Sequence, residues 1–304
     1  MTIGMVGLGR MGSAVAYRLL QAGHEVWGFD PDDTAAQSAR QMGVQLAGNI
    51  PELCPHARVV MIMVPAGDVT GAVIDELADG MQRGDIIIDG GNSNFHDSIR
   101  RAQCLSGRDI FFLDCGVSGG LQGKGRGFCL MIGGDVAAYQ KVHPLLAAIA
   151  TPGGLAHVGP SGAGHYVKMV HNGIEYGMLQ AYGEGFALIR DGHFKKAALD
   201  LEEISRIWNH GAIIRSWLLE LAHEVFEHDQ GLHHVSGALA EGGTGRWSVE
   251  EAEAHDIPLP VIEAALAARE WSRLTGGNYG TKVVALLRNK FGGHEVGKVS
   301  DENN

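Results

Sequence analysis

The chain has few features that would take it out of ordinary globular chemistry. Its longest apolar run, VVMIMVPA (59–66), is strand-sized and far short of the ~18 residues that cross a bilayer. Cysteine is sparse: Cys54, Cys104, Cys115 and Cys129 have neither CxxC spacing nor a disulfide framework, which fits a reducing cytoplasm. No basic leader precedes TIGMVGLG at the N-terminus, which predicts a protein that is not exported. Positive charge is scarce too: a formal net charge of −11 argues against wrapping nucleic acid, and nothing points to a membrane. An anionic substrate would need a local cluster of basic residues working against that field. Metal motifs are also missing. HEVFEH (223–228) spaces its histidines five apart, about 140° around a helix, and neither HExxH nor HxxEH occurs, so no metal site is expected.

What is present is a 304-residue chain, 45% hydrophobic and 19% charged, long enough for two domains. Up to residue 160 it alternates apolar runs with helical stretches. TIGMV, EVWGF, VVMIMV, DIIID, DIFFLD and FCLMIGG read as strands, with helices such as GSAVAYRLLQAG between the early ones. That alternation predicts an α/β fold, a doubly wound Rossmann-type sheet over residues 1–160. From His165 the chain reads helical, with long stretches such as the one over 194–228. An all-α domain over 161–304 is therefore expected, with DENN at the C-terminus disordered.

GLGRMG places Gly7, Gly9 and Gly12, with Met11 inside the loop, between the first strand and the first helix. There, free backbone N–H groups and the helix dipole can receive a pyrophosphate. Asp30 ends the second strand, where a carboxylate can accept the ribose hydroxyls; its other reading is a cap for the DPDDTAAQ helix. Acidic neighbours and no nearby Arg or Lys favour NAD over NADP. Val64, Pro65 and Ala66 of VPAG, and Asn92 of DGGNS, follow strands and therefore lie where such sheets bind ligands, here a nicotinamide.

KMVHNGIEYG (168–177) reads as helix. Lys168, His171, Asn172 and Glu175 share one face, and Met169, Val170 and Ile174 the other. A solvated surface face is the simplest explanation of that polar stripe. The motifs in order change the weighting.

GLGRMG, DCGVSGGLQGKGRG (114–127) and GAGHYVKMVHNG (162–173), with the order of sheet and helical domain, resemble the β-hydroxyacid dehydrogenases. KMVHNGIEYG, GTGRWS (243–248) and RNKFGGH (288–294) further resemble the site segments of the decarboxylating 6-phosphogluconate dehydrogenases, over nearly the whole chain. The resemblance implies a short form of that family, expected to lack the second helical repeat of its longer members. The resemblance implies oxidation of a phosphorylated sugar acid at carbon 3, loss of carbon dioxide and protonation of the enediol. It thereby implies roles in gluconate use and the pentose phosphate pathway.

In that scheme Lys168 resembles the base, which must be neutral to act, and Glu175 the proton donor to carbon 1. His171 and Asn172 resemble substrate-orienting groups. Ser118, Gly119 and Gly120 resemble the loop that receives the sugar acid, with Asn92 bridging it to the nicotinamide. Tyr176, Arg246, Ser248 and Arg269 match phosphate contacts, although the family more often has Lys and Thr at the places of Arg246 and Ser248. Arg288 and His294 resemble a segment that reaches in from a second subunit, which implies a homodimer or higher oligomer. A non-decarboxylating β-hydroxyacid dehydrogenase, or a dinucleotide-sensing protein without catalysis, remain the alternatives.

Overall fold

The computed structural model describes residues 1–298; the DENN tail lies outside them. The elements run β1 (Thr2–Val6), α1 (Arg10–Gln21), β2 (Glu25–Phe29), α2 (Asp33–Met42), β3 (Gln45–Leu46), β4 (Val59–Ile62), α3 (Asp68–Gly80), β5 (Ile86–Asp89), α4 (Phe95–Ser106), β6 (Phe111–Ser118), α5 (Gly123–Arg126), β7 (Phe128–Gly134), α6 (Val136–Ile149) and β8 (Ala150–Gly159). The alternation of strand and helix then gives way to helices alone: α7 (Ala163–Asp191), α8 (Leu201–Trp208), α9 (Trp217–His228), α10 (Thr244–Ala254), α11 (Pro260–Thr275) and α12 (Tyr279–Gly292). The chain divides into two compact units, Met1–Met169 and the residues from Val170 onward.

The first unit is one eight-stranded sheet in the order β3-β2-β1-β4-β5-β6-β7-β8. β4 (VVMI) and β5 (IIID) are buried at every position, as strands covered on both faces must be. One face packs Val15 and Leu19 of α1 with Val142 and Leu145 of α6. The other packs Val73, Ile74 and Leu77 of α3 with Leu105 of α4. This is the doubly wound arrangement that the strand–helix alternation predicts.

Two features depart from the sequence reading. β7 runs antiparallel to β6, so the chain reverses after Ser118 and leaves the VSGG turn at the end of a strand. ATPGGLAHVG forms a ten-residue strand, β8, although it carries Pro152, Gly153 and Gly154. It pairs with β7 alone at the sheet's edge, where an absent N–H and a weak β-former are tolerated.

The second unit is helical among its described residues, with a core that includes Leu179, Phe186, Leu221, Phe226, Val283 and Leu287. The stretch 194–228 is not continuous helix: α8 and α9 are separate, each started by a side-chain cap, Asp200 and Ser216. No described helix is long and apolar enough to cross a membrane. α7 begins in the first unit, because Gly164 is pressed against its strands. A β-carbon there would come within 2.4 Å of the Met131 carbonyl oxygen and 2.5 Å of that of Asp114.

Candidate active site

The phosphate-type loop is built by close approach. Gly7 has φ +92°, and a β-carbon on it would meet the Met63 carbonyl oxygen at 2.5 Å. A β-carbon on Gly12 would meet the Gly7 carbonyl at 2.0 Å, so α1 can start against the strand only with glycine there. Gly9 is different. A β-carbon on it would touch nothing within 4 Å, and no side chain caps the first turn of α1. The protein's own packing does not call for glycine at that place. A ligand lying close to the backbone does, so these residues fit a dinucleotide pyrophosphate.

Asp30 is not the cap of α2. Asp32 is, accepting from the Thr34 N–H at 2.8 Å. Asp30 instead accepts from the Leu8 N–H at 2.6 Å and the Asp32 N–H at 2.9 Å, which ties the glycine loop to the end of β2. Val64, Pro65 and Ala66 follow β4, with the Pro65 carbonyl accepting from Thr70 Oγ1 at 2.8 Å. Asn92 sits at φ +53°. Its side-chain amide spans the Val117 backbone, accepting from N–H at 2.8 Å and donating to the carbonyl at 3.2 Å. One N–H and one lone pair of that amide stay available for a ligand. Asn92 therefore anchors the segment that leads into Ser118, Gly119 (φ +129°) and Gly120 (φ +54°).

Lys168 is buried, at 6% exposure, and packs on the sheet beside β6. A β-carbon on Gly116 would come within 2.6 Å of the Lys168 Cβ, so the glycine two residues before Ser118 is what lets the lysine approach. The start of α7 is held by Asp114, wholly buried, which accepts from the Gly162 N–H at 2.6 Å and the His165 N–H at 2.9 Å. Burial at this helix does not divide by residue type, since Met169 is buried but its expected face-mates are not. Lys168 is buried, whereas Val170 and Ile174 are 37% and 55% exposed.

In the second unit, the Asn172 side-chain amide donates to Thr244 Oγ1 at 3.3 Å, and its Oδ1 lies 3.0 Å from His171 Nδ1. Glu175 Oε2 is 4.0 Å from the same imidazole nitrogen. Gly173 brings α7 against α10 and α11, since a β-carbon there would meet Ser248 Oγ and Ile262 Cδ1 at 3.1 Å. Tyr176 is buried with the Arg269 guanidinium stacked 3.3 Å from its ring centre. Arg269 is 2% exposed, and neither of its terminal nitrogens has a hydrogen-bond partner. Burial pushes its pKa down to about 10. Burial lowers Arg288 as well, with Tyr176 and Glu175 of the same chain opposing the shift.

Two buried cations beside a tyrosine, one with its fork unsatisfied, offer the charge and the donors that a compact dianion such as a phosphate monoester would require. Arg246 is turned to Glu241, 3.3 Å from Nε, and is more than half exposed. Ser248 donates to the Thr244 carbonyl at 3.2 Å. His294 is exposed beyond the end of α12.

Residues 2–162 match the family described as the NAD binding domain of 6-phosphogluconate dehydrogenase, and residues 164–299 match its C-terminal domain. The chain belongs to the 6-phosphogluconate dehydrogenase family. It is 44% identical, over 99% of its length and all of the relative's, to a Haloferax volcanii protein named as an NAD(+)-dependent, decarboxylating 6-phosphogluconate dehydrogenase. A decarboxylating 6-phosphogluconate dehydrogenase of Synechocystis is 36% identical over 90% of this chain, which matches 61% of that longer protein. The solved Plasmodium falciparum 6-phosphogluconate dehydrogenase superposes with a TM-score of 0.80 at 28% identity, over all of this chain and 67% of that one.

Several residues of this family member's first unit escape a reading by motif. Asp114, His165, Asp89 and Arg101 are all buried polar groups in the elements around Lys168 and the loops after β4 and β5. The sequence signal for Asp89, Asp114 and His165 was a charged or imidazole side chain next to a glycine motif, which alone does not separate a strut from a surface residue; Arg101, inside α4, carried no such signal.

Proposed function

We propose that this chain catalyses the NAD-dependent oxidative decarboxylation of 6-phosphogluconate to ribulose 5-phosphate and carbon dioxide. When bound, NAD supplies the acceptor for the hydride of carbon 3. The neutral Lys168 amine takes the carbon 3 hydroxyl proton as that hydride leaves. The resulting ammonium then polarises the new ketone, so the carboxylate bond can break with its electrons moving onto the carbonyl. A β-keto acid already has that electron sink, so the reaction calls for no metal. Glu175 delivers a proton to carbon 1 of the enediol.

Asn172 and His171 orient the carbon 3 hydroxyl and the carboxylate, while Ser118, Gly119 and Gly120 offer a hydroxyl and backbone N–H groups. Asn92 uses the remaining donor and acceptor of its amide between sugar acid and nicotinamide. Tyr176, Arg269 and Arg288 hold the phosphate, and Arg246 and Ser248 border it. The helix α7 carries this reading: a buried lysine seated on Gly116, followed seven residues later by a carboxylate at 23% exposure. Asp30, with Asp32 and Asp33 beside it, favours a ribose hydroxyl over a 2′-phosphate and so NAD over NADP.

We further propose a homodimer or higher homo-oligomer working in the cytoplasm, where four free cysteines stay reduced. The second unit exposes Ile174, Met178 and Leu188 of α7 and Val261 and Leu274 of α11, an apolar surface that a second copy can cover. Arg288 stands beside Glu175 and Tyr176 of its own chain, so His294 is the residue of its segment assigned to a neighbour's site.

The test is to follow NADH and trapped carbon dioxide together with 6-phosphogluconate as substrate. Equal yields are expected. NADH without carbon dioxide would overturn the decarboxylating reading, and neither product would leave a dinucleotide-sensing protein. Analytical ultracentrifugation of the active enzyme is expected to show a dimer or larger; a fully active monomer refutes that part.

A further inference from the structure

β5 ends in Asp89, which is wholly buried and serves as a junction. Its Oδ1 accepts from the Gly91 N–H at 2.9 Å, and its Oδ2 from Ser93 Oγ at 2.8 Å and Arg101 Nη1 at 3.2 Å. Arg101 comes from α4 and is 7% exposed. Its Nη1 also reaches Ser93 Oγ at 3.2 Å, and its Nη2 donates to the Gly67 carbonyl at 2.8 Å. One guanidinium thus links the loop after β4, residues 64–67, to the loop after β5, residues 90–93. The Asp89 carbonyl accepts from His165 Nε2 at 3.1 Å, and His165 Nδ1 lies 2.7 Å from Ser98 Oγ. Lys168 follows His165 by one turn of α7.

We propose that Arg101 is a positioning residue for the dinucleotide: its fork sets the spacing of the two nicotinamide-side loops without touching NAD or the sugar acid. The proposal rests on reading those loops as the nicotinamide site. Three features favour this role over simple stabilisation. Buried ion pairs add little stability over an apolar substitute of the same shape, so the pair is better explained by the geometry it enforces. Arg101 Nε is itself buried without a partner, a cost that packing alone would remove by substitution. Its partners, the Gly67 carbonyl in the loop after β4 and the Asp89 carboxylate at the end of β5, also belong to separate segments, and only a planar fork with donors on both ends spans them. A lysine ammonium keeps the charge and loses that span.

The experiment measures NAD affinity by calorimetry and both KM values in Arg101→Lys and Arg101→Met, with melting temperatures as the control for folding. Losing one charge-assisted hydrogen bond that holds the binding conformation is expected to weaken NAD by about tenfold in each variant. KM for 6-phosphogluconate is expected to stay within about twofold, a split that general loosening of the fold does not produce. Folded variants that bind NAD as the wild type does, or that weaken both ligands in proportion, overturn the proposal. If Arg101→Met does not fold, Arg101→Lys decides by the same criterion. A wild-type protein that binds NAD but does not oxidise 6-phosphogluconate refutes the assigned substrate and leaves the role of Arg101 standing. One that binds no NAD refutes the cofactor site itself.

Discussion

Arg269 offers a test in which stability and function are expected to move in opposite directions. Its guanidinium is stacked on Tyr176 at 3.3 Å, 2% exposed, with both terminal nitrogens unpartnered. The depression of its pKa from the ordinary guanidinium range to about 10 corresponds to about 3 kcal/mol against the charged native form, at roughly 1.4 kcal/mol per pH unit. The sign follows directly. The cation is less favourable folded than unfolded, so the penalty is fully present at neutral pH and fades only as pH rises above about 10 towards the ordinary guanidinium range. Arg269→Met removes that penalty and also loses a cation–π contact worth about 0.5–2 kcal/mol. The ligand-free variant is therefore expected to be more stable by about 1–2 kcal/mol, a rise of roughly 2–8 °C in melting temperature for a protein of this size.

Binding should respond in the other sense. A fork that gives two charge-assisted bonds to a phosphate contributes about 3–5 kcal/mol, so kcat/KM for 6-phosphogluconate is expected to fall by about 10²–10³ or more. Turnover of unphosphorylated gluconate, which has no phosphate for the fork to hold, is expected to change little. Inorganic phosphate should raise the melting temperature of the wild type and leave that of the variant unchanged. The reasoning is refuted if the variant melts well below the wild type without anions, or if it keeps its KM for 6-phosphogluconate.

Other substitutions test the remaining parts of the site. Lys168→Met is expected to lower kcat by about 10²–10⁴ while calorimetry still shows wild-type NAD binding. Glu175→Gln should lose most turnover, about 10²-fold or more in steady-state rate, whereas an enzyme that only oxidises would hardly change. Gly116→Ala puts a methyl group 2.6 Å from the Lys168 Cβ, so kcat is expected to fall with a loss of about 1–3 kcal/mol in stability by chemical denaturation. Asp30→Ala removes the acceptor of the Leu8 N–H, and KM for NAD is expected to rise by about tenfold with KM for the sugar acid unchanged in initial-rate assays.

Much of the architecture was legible in local pattern. Short apolar runs located β1, β2, β4, β5 and β7, and their alternation with helices implied the doubly wound sheet. The glycine loop and Asp30 also stood out by residue type and short spacing, whereas Lys168 and Arg269 stood out only because their segments resemble those of a known family. β8 was not legible, since ATPGGLAHVG has poor strand propensity and gains its hydrogen bonds only from β7 beside it. The helical stretch over 194–228 hid a break for a related reason: apolar periodicity continues through residues 209–216, but Ile213 there is fully exposed rather than packed.

By itself, then, the order of residues determined the alternation of strand and helix, the glycine turns whose conformation admits little else, and the kinds of chemical group available. Each depends on interactions within a few residues along the chain. Tertiary structure alone decided that Lys168 is buried on Gly116 while Ile174 faces outward, that Asp114 rather than a nearby cap holds the start of α7, and that Arg101 joins Gly67 to Asp89. Those outcomes require partners from distant strands and helices. Burial and hydrogen-bond satisfaction are properties of the closed fold, and no local pattern specifies them.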